Sequence, residues 1–320
     1  MRALITGIAG FAGSHLCDYL LSLGGIQVSG ACLPSDSLRH LKHCLSQIDL
    51  HRLDLTDYQA VVTLLEKTRP DYLFHLAARA SVRRAWEHPV ETLVNNAAAQ
   101  LNVLHAIVQL NMRPRVLVVG SADEYGLIPQ GSLPVDEETP LRPLNPYAVS
   151  KIAQDFLGLQ YHLSHGLHVV RVRPFNHIGP RQGLGFVVPD FCKQIAEIEL
   201  GRREPVVRVG NLSARRDFTD VRDMVRAYYL ALAKGKPGEV YNIGSGRALA
   251  IHEVLDCLLQ QSRVPVRVEQ DPGRMRPSDI PVIICDSRRF RQDTGWHPER
   301  DIKQTLRETL DYWREQVQNL

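Results

Sequence analysis

The chain has 320 residues, 44% of them hydrophobic and 23% charged, with a formal net charge of +3. These values are ordinary for a soluble globular protein, and the weak charge argues against a nucleic-acid or membrane-surface partner. The six cysteines show neither metal-ligand spacing nor a disulfide framework, and no apolar run reaches the ~20 residues that span a bilayer. The chain opens into a predicted strand, so we expect no signal peptide. The cysteine pattern predicts a reducing compartment, the cytoplasm, and no metal site.

The first half of the chain alternates short apolar runs with amphipathic patterns of helical period. The runs predict strands at 3–6, 27–31, 49–53, 72–76, 116–120 and 168–172, and the patterns predict helices at 13–23, 58–68, 90–110 and 147–164. Strand–helix–strand repetition favours a parallel sheet with helices on both faces. We therefore predict an α/β fold of the Rossmann type, a doubly wound parallel sheet.

The regular alternation of predicted strands and helices ends after residue 174. The sequence predicts a helix at 190–200, a strand at 206–209, a loop at 210–218, and then a helix at 220–234 with a strand at 239–242 that return to the main sheet. Two further helices are predicted at 251–261 and 302–317. We expect a dinucleotide-binding domain of residues 1–175 plus about 215–243, and a smaller C-terminal α/β domain of about 176–214 and 244–320 that binds substrate.

A glycine triplet follows the first predicted strand. Gly7 and Gly10 allow a tight turn and close approach of a pyrophosphate, while Gly13 allows close packing of helix on strand. Phe11 and Ala12 begin the helix, whose N-terminus directs N–H groups and a partial positive charge at the phosphates. This context, at the end of the first strand of a strand–helix–strand unit, predicts a dinucleotide site.

The cofactor's ribose should meet the end of the second strand. A carboxylate there would accept from the hydroxyls of NAD, whereas an arginine would pair with the phosphate of NADP. The strand ends without either, although Asp36 or Arg39 could reach in from the following loop. The sequence therefore leaves NAD and NADP open.

Tyr147 and Lys151 stand four residues apart on a predicted helix that begins behind Pro146. This spacing places both side chains on one helix face. A phenol titrates near pH ~10, too high for efficient proton exchange at neutral pH. A nearby ammonium and the positive charge of a nicotinamide would lower that pKa. We expect Tyr147 to act as the proton donor or acceptor of a carbonyl–alcohol reaction.

The chain resembles the extended short-chain dehydrogenases/reductases in five segments, taken in chain order. These are the G-x-x-G-x-x-G turn, Leu53-Asp54-Leu55, His75-Leu76-Ala77-Ala78 with Asn96 after it, Ser121 with Tyr125-Gly126, and Y-x-x-x-K. The resemblance implies that Asp54 meets the adenine, that Leu55, Leu76, Ala77 and Ala78 line the cofactor, and that Lys151 binds the nicotinamide ribose. It also implies that Ser121 hydrogen-bonds the reacting oxygen and that the helices at 90–110 and 147–164 form a homodimer.

Other phrases are similar to the GDP-4-keto-6-deoxy-D-mannose reductases, which form GDP-D-rhamnose. They are Phe175-Asn176-His177-Ile178-Gly179-Pro180-Arg181-Gln182, Val209-Gly210-Asn211-Leu212, the segment from Arg215 to Asp223, and Arg274-Met275-Arg276-Pro277-Ser278. The resemblance implies a GDP-sugar substrate that contacts Asn176, Lys193, Arg216 and Arg276, because arginine forks suit diphosphate oxygens.

The sister family, the GDP-mannose 4,6-dehydratases, carries a glutamate two residues after the hydroxyl residue. Here that position is Asp123, and the acid used by glucose-type dehydratases is replaced by Ala122. A carboxylate one methylene shorter would not reach C5, since misplacement by about 1 Å costs roughly a hundredfold. This favours simple reduction of the C4 ketone by NADH or NADPH, with Asp123 orienting the substrate. The alternatives are a GDP-mannose 4,6-dehydratase, a nucleotide-sugar C4 epimerase and a non-catalytic NAD(P)-binding sensor.

Overall fold

The computed structural model describes residues 1–129, 131–275 and 280–319. The strands in chain order are β1 (Arg2–Thr6), β2 (Gln27–Cys32), β3 (Ile48–Arg52), β4 (Tyr72–His75), β5 (Arg115–Val119), β6 (His168–Pro174), β7 (Asn176–Ile178), β8 (Val206–Val209), β9 (Arg215–Asp220), β10 (Val240–Ile243), β11 (Ala248–Ala250) and β12 (Arg267–Gln270). The helices are α1 (Phe11–Leu23), α2 (Tyr58–Thr68), α3 (Val82–Glu87), α4 (Pro89–Gln109), α5 (Pro146–His165), α6 (Val187–Glu199), α7 (Val221–Lys234), α8 (Ile251–Leu259), α9 (Arg288–Thr294) and α10 (Ile302–Gln318).

Seven strands of the described chain form one sheet in the order β10-β6-β5-β4-β1-β2-β3, and every neighbouring pair is parallel. The predicted fold class is confirmed. The six strands predicted in the first half lie within two residues of the observed ones at each end. The returning strand predicted at 239–242 is β10, which pairs with β6. One edge strand of the sheet, β10, therefore comes from late in the sequence.

Both faces of this sheet are covered, which explains why its strands are apolar without alternation. Val116, Leu117 and Val118 of β5 are fully buried. One face packs against α1 and α7 through residues such as Leu16 and Met224. The other packs against α2, α4 and α5. Each buried side chain of this size contributes about 2 kcal/mol to folding, so the layered core fixes the strand ends that carry the site.

A second apolar cluster lies among α6, α8 and α10, beside a three-stranded sheet in the order β11-β9-β7 and the pair β12-β8. The predicted loop at 210–218 is wrong in its second half, because β9 begins at Arg215. This strand was not predicted because it begins with the polar run Arg215-Arg216-Asp217, although its later residues are buried. The two-domain division stays a prediction. Phe290 and Trp296 fall in the predicted C-terminal domain, but they pack in the same apolar cluster as Leu16 and Met224 of the main sheet's α1–α7 face.

The described helices include none with the length and apolar character needed to cross a bilayer. All six cysteines fall in the described ranges and are free thiols, five of them buried. Burial in an apolar core raises the pKa of thiols such as Cys32. These cysteines therefore act as small core residues in this fold.

Candidate active site

A glycine turn joins β1 to α1. Gly7 has a φ of +71°, and its N–H donates to the Ala31 carbonyl at 2.8 Å, which ties the turn to β2. A Cβ at Gly13 would collide with the Gly7 carbonyl oxygen and lie 2.8 Å from Ile8 Cα. Gly10 caps α1 without a side-chain hydrogen bond. No side chain of the cap therefore covers the first N–H groups of α1, as an incoming pyrophosphate requires.

The segment from β7 to Arg181 runs along α1. Phe11 and Ala12, the first residues of α1, are half-buried. Three contacts run along the helix: the Phe11 ring stacks on the His177 ring at 5.8 Å, His15 Nε2 lies 2.9 Å from the Pro180 carbonyl, and Arg181 Nη1 lies 2.7 Å from Asp18 Oδ2. Burial lowers the pKa of His15 to about 4. The dinucleotide helix and the segment that begins with Asn176 are thus packed together.

The residues expected to line the cofactor lie at neighbouring strand ends. Asp54 is exposed after β3, and its Oδ1 accepts from Thr56 N at 2.9 Å, so the carboxylate is held by its own turn. Leu55 is buried beside it. After β4, residues Leu76, Ala77 and Ala78 are half-buried. The C-terminal ends of parallel strands are where a dinucleotide binds in this type of sheet.

Asp36 and Arg39, the two residues that could reach the cofactor's ribose, have different surroundings in the loop after β2. Asp36 Oδ2 accepts from Leu33 N at 2.9 Å, so its carboxylate closes the loop. Arg39 lines a surface cavity of about 210 Å³, and the other lining residues are His40, His43, Arg181, Tyr312 and Gln316. The loop thus presents a guanidinium, while its carboxylate is engaged locally.

Ser121 begins a 3₁₀ turn, Ala122–Tyr125, directly after β5. Its hydroxyl oxygen accepts from Asp123 N at 3.1 Å, and its own N–H donates to Glu124 Oε1 at 2.7 Å. The hydroxyl hydrogen remains a donor, since a serine oxygen can accept and donate at once. The turn therefore holds the Ser121 backbone while leaving its hydroxyl able to donate.

Tyr147 and Lys151 lie on the first turns of α5. Asn145 caps this helix, with its Oδ1 accepting from Ala148 N at 2.8 Å, and Pro146 is its first residue. Lys151 is buried, with 4% of its surface exposed, and its Nζ donates to Gln154 Oε1 at 2.6 Å. Both predicted residues are therefore held by a rigid, well-capped helix.

The electrostatics of Tyr147 differ from the sequence-based expectation of a lowered pKa. Burial raises the pKa of Tyr147, the Asp123 carboxylate raises it further, and the Ser121 hydroxyl acts in the opposite direction. Burial also lowers the pKa of Lys151, against the attraction of Glu124 and Asp155. Among the protein's own groups, desolvation thus raises the pKa of the phenol, and the lowering expected from the positive charge of a nicotinamide stays a prediction.

The structure adds buried charged residues behind Ser121 that the sequence interpretation missed. Glu124 is completely buried, and its Oε2 accepts from Arg173 Nε at 3.0 Å. Arg173 Nη2 also donates to Asp155 Oδ2 at 2.6 Å. A sequence signal existed: Ser121 and Glu124 have the S-x-x-E spacing of a capping box. The structure has both of its hydrogen bonds.

Asn96 connects the two long helices beside the site. Its Oδ1 accepts from Arg79 N at 2.7 Å, and its Nδ2 donates to Ser150 Oγ at 2.9 Å. Ser150 lies between Tyr147 and Lys151 in the sequence of α5. The asparagine therefore fixes α5 against α4 at the level of the predicted catalytic residues.

The described residues expected to contact the sugar nucleotide lie on β7, on α6 and on β9, the strand that pairs with β7. Asn176 is exposed at the start of β7. Lys193 of α6 forms a 3.0 Å ion pair with Glu197, four residues on. Arg216 of β9 is half-buried, and its Nη1 donates to the Ile280 carbonyl at 2.6 Å. Arg276 lies outside the described residues. Lys193 is engaged in a pair typical of a helix surface.

The sequence predicts no metal site. Within the described ranges, one group of side chains has ligand atoms close enough together to hold a metal ion. Ligand atoms of Asp18, His43 and Cys44 lie within 4.8 Å of one another. The Asp18 carboxylate, however, already binds His43 Nε2 at 2.8 Å and Arg181. These contacts account for the group without an ion.

Comparisons with known proteins agree with this geometry. The model of the GDP-mannose 4,6 dehydratase family matches residues 4–309. The chain is 36% identical to the GDP-6-deoxy-D-mannose reductase of Pseudomonas aeruginosa, over 99% of this chain and 98% of that one. It is 27% identical to the GDP-mannose 4,6-dehydratase of Sinorhizobium fredii, over 98% and 97%.

Among solved structures, RMD from Pseudomonas aeruginosa complexed with NADPH superposes with a TM-score of 0.87 at 34% identity, covering 99% of both chains. The family model and this relative span the glycine turn, the Ser121 turn and the start of α5. The chain therefore belongs to the GDP-mannose 4,6-dehydratase family of extended short-chain dehydrogenases/reductases.

Proposed function

We propose that the protein is an NAD(P)H-dependent reductase that converts the C4 ketone of GDP-4-keto-6-deoxy-D-mannose to the alcohol of GDP-D-rhamnose. The observation that carries this proposal is the grouping of Ser121 and Asp123 on the turn after β5 with Tyr147 at the start of α5, where the Ser121 hydroxyl and the Asp123 carboxylate both act on the phenol. Full-length similarity to a GDP-6-deoxy-D-mannose reductase supports the same substrate class.

The residues present fit a nicotinamide dinucleotide. Gly13 has no Cβ, so α1 packs closely on the Gly7 turn, and the first turn of α1 has no side-chain cap that would cover its N–H groups. Gly7, Gly10, Phe11, Ala12 and Gly13 would hold the pyrophosphate, and the residues at 54–55 and 76–78 would line the adenosine and nicotinamide. When bound and reduced, this cofactor supplies the hydride that the ketone carbon accepts.

Tyr147 gives its phenolic proton to the ketone oxygen, so the carbonyl becomes a hydroxyl and the phenol a phenolate. Ser121 donates a hydrogen bond to the same oxygen and stabilises the charge that develops there. Lys151, whose ammonium is buried on the same helix, stabilises the phenolate and would bind the nicotinamide ribose. A proton from solvent restores Tyr147 after the product leaves.

A 4,6-dehydratase is the second candidate, favoured by the family model itself. Dehydration needs a base at C5 of the sugar, and Asp123 is the carboxylate in the corresponding position. It faces Tyr147 closely enough to raise the pKa of the phenol. One methylene less than glutamate shortens its reach, and this supports reduction.

The test is product analysis with both substrates. Purified protein should oxidise NADH or NADPH when given GDP-4-keto-6-deoxy-D-mannose, with equimolar loss of absorbance at 340 nm. GDP-mannose should remain unchanged. Formation of the 4-keto-6-deoxy sugar from GDP-mannose without net consumption of cofactor would instead assign the dehydratase. Unchanged absorbance with both cofactors and no dehydration would reject both.

A homodimer built from α4 and α5 is part of this proposal. These helices pack on each other, yet apolar side chains on their outer surfaces are exposed, among them Val90 at 73%, Val94 at 58%, Phe156 at 50% and Leu163 at 72%. Exposed apolar residues concentrated on two adjacent helices are typical of a protein–protein interface.

The free cysteines support a reducing compartment, the cytoplasm.

A further inference from the structure

We propose that Glu124 is a positioning residue that holds Ser121 so that its hydroxyl faces Tyr147. The carboxylate lies three residues beyond Ser121 in the 3₁₀ turn and is completely buried. Its Oε1 accepts the Ser121 N–H at 2.7 Å, and no other carboxylate of the described chain hydrogen-bonds that N–H. The inference concerns the site of the proposed function and rests on it for its assay.

The second oxygen of Glu124 is anchored to the elements that carry the rest of the site. Arg173, at the end of β6, donates from Nε to Glu124 Oε2 at 3.0 Å and from Nη2 to Asp155 Oδ2 at 2.6 Å. Asp155 lies on α5, one turn beyond Lys151. A chain of hydrogen bonds therefore links the Ser121 backbone to the helix that carries Tyr147.

Neighbouring groups restrain this chain from both sides. Arg171 Nη1 donates to Asp155 Oδ1 at 2.6 Å, and Arg173 Nη1 donates to Tyr125 Oη at 3.1 Å. Tyr125 in turn donates to Asn242 Oδ1 of β10 at 2.7 Å. The arginines, Asp155 and Tyr125 are each less than a tenth exposed. Both oxygens of the Glu124 carboxylate therefore accept from donors, and the arginine that reaches one of them is itself held by further buried partners.

The local backbone is also adapted to this carboxylate. A Cβ at residue 120 would collide with Glu124 Oε1, so a glycine at that position makes room for it. Burying two carboxylates and two guanidiniums costs more free energy than burying apolar side chains of the same volume. Replacing the whole group by apolar side chains would therefore cost little stability, whereas removing Glu124 alone would deprive the Ser121 N–H and Arg173 Nε of an acceptor. The geometry is better explained if the carboxylate fixes where the serine hydroxyl lies.

The test is a double-mutant cycle between Glu124 and Ser121. Glu124→Gln keeps the size of the side chain, but its amide can satisfy only one of the two donors it faces. We expect Glu124→Gln to lower kcat about tenfold, with KM changed less than about twofold. In the Ser121→Ala background the same change should lower kcat less than about twofold, because the hydroxyl that Glu124 positions is gone.

Asp223→Asn serves as the control, because Asp223 is an equally buried carboxylate that accepts from Glu299 N and Arg300 N at 2.9 Å, away from the site. Its effect on kcat should be the same in both backgrounds. If Glu124→Gln does not fold, Glu124→Asp, which is too short to reach both donors, takes its place in the cycle. Equal losses from the Glu124 change in both backgrounds would overturn the proposal, as would no loss in either.

The two proposals fail in different ways. Absence of ketosugar reduction by the wild-type protein rejects the reductase assignment, and the cycle is then measured on dehydration of GDP-mannose, whose C4 oxidation uses the same serine and tyrosine. If the wild-type protein is active and the losses of kcat from the Glu124 and Ser121 substitutions are additive, only the role of Glu124 is rejected.

Discussion

Lys151 Nζ donates a 2.6 Å hydrogen bond to Gln154 Oε1, three residues further along α5. The main-chain carbonyl of Gln154 accepts from Gln100 Nε2 of α4 at 2.5 Å. The ammonium is therefore anchored to the packing of the two long helices and not to the surface. An ammonium has three hydrogens, so the remaining ones stay available for a ribose hydroxyl and for the phenolate.

Tyr147→Phe should abolish proton donation while leaving the fold intact. We expect kcat for ketosugar reduction to fall by about 10²–10⁴, the usual contribution of general acid catalysis, with little change in the dissociation constant of the reduced cofactor. Fluorescence titration and steady-state kinetics measure the two quantities. Tyr19→Phe, at a ring of α1 that packs on Tyr229 of α7, should keep wild-type kcat. Retention of full activity by Tyr147→Phe would contradict the mechanism and support a non-catalytic binding protein.

Gly13→Ala should disrupt the dinucleotide turn. Its Cβ would collide with the Gly7 carbonyl oxygen and lie 2.8 Å from Ile8 Cα, so backbone must move. We expect a loss of about 1–3 kcal/mol in the free energy of unfolding and at least tenfold weaker cofactor binding. Gly183→Ala is the matched control, because its Cβ meets nothing within 4 Å and its φ is not positive. The prediction fails if both variants unfold at the same denaturant concentration as wild type.

Arg39→Ala should discriminate between the two cofactors. Asp36 is engaged by Leu33 N, whereas Arg39 borders the cavity that Arg181 shares, so the loop favours a phosphate over ribose hydroxyls. We expect KM for NADPH to rise about tenfold and KM for NADH to change less than about twofold. The exposed Arg113 provides a control substitution to alanine. Equal changes for both cofactors would show that Arg39 does not read the phosphate.

His75 should make the fold less stable in acid. Burial, and secondly Lys151, lowers the pKa of His75 to about 3, and its Nδ1 lies 3.0 Å from Thr6 Oγ1. Below the unfolded pKa of about 6.5 the unfolded chain binds a proton that the folded chain does not, so stability is complete above pH ~6.5 and falls as pH drops toward 3. This residue alone should cost about 2 kcal/mol at pH 5.

Urea unfolding at pH 7 and pH 5 measures this effect. His75→Gln should show a smaller loss of stability between the two pH values than wild type, by about that amount. His252→Gln should lose as much stability as wild type, since His252 is exposed. An unchanged difference in His75→Gln would show that His75 is not the responsible group.

Phe156→Asp should weaken self-association. Phe156 is 50% exposed on α5, in the apolar surface shared with α4, and a charge in a desolvated interface costs several kcal/mol. Sedimentation velocity should show a dimer for wild type and a monomer for the variant. Leu200→Asp, at a 41% exposed residue after α6, should remain dimeric. A monomeric wild-type protein would reject the proposed interface.

Long elements were predictable because their patterns are strong. Helix α2 was predicted with its exact ends, since Asp57 caps it and Val61, Leu64 and Leu65 face the core. The strands of the main sheet are apolar because they are buried on both faces. Short elements such as α3, β7 and β9 escaped prediction, because three to six residues of mixed polarity carry no distinct period.

The site shows the same division. Ser121, Tyr147 and Lys151 stand in recognisable local contexts, so their positions followed from the sequence. Glu124 and Arg173 did not, since their pairing joins residues 49 apart in the chain. The raised pKa of Tyr147 was also missed, because desolvation depends on the tertiary packing around the phenol.

The contacts that run along α1, from Phe11 with His177 to Asp18 with Arg181, would place the proposed dinucleotide and sugar-nucleotide sites on two sides of one packed unit. One side of this unit begins at the glycine turn before α1, and the other begins at Asn176 of β7. A molecule that immobilises either end removes motion from the other, so the conformational entropy lost on ordering is divided between both binding events. Dinucleotide and sugar nucleotide should accordingly bind with positive cooperativity even where their atoms never touch.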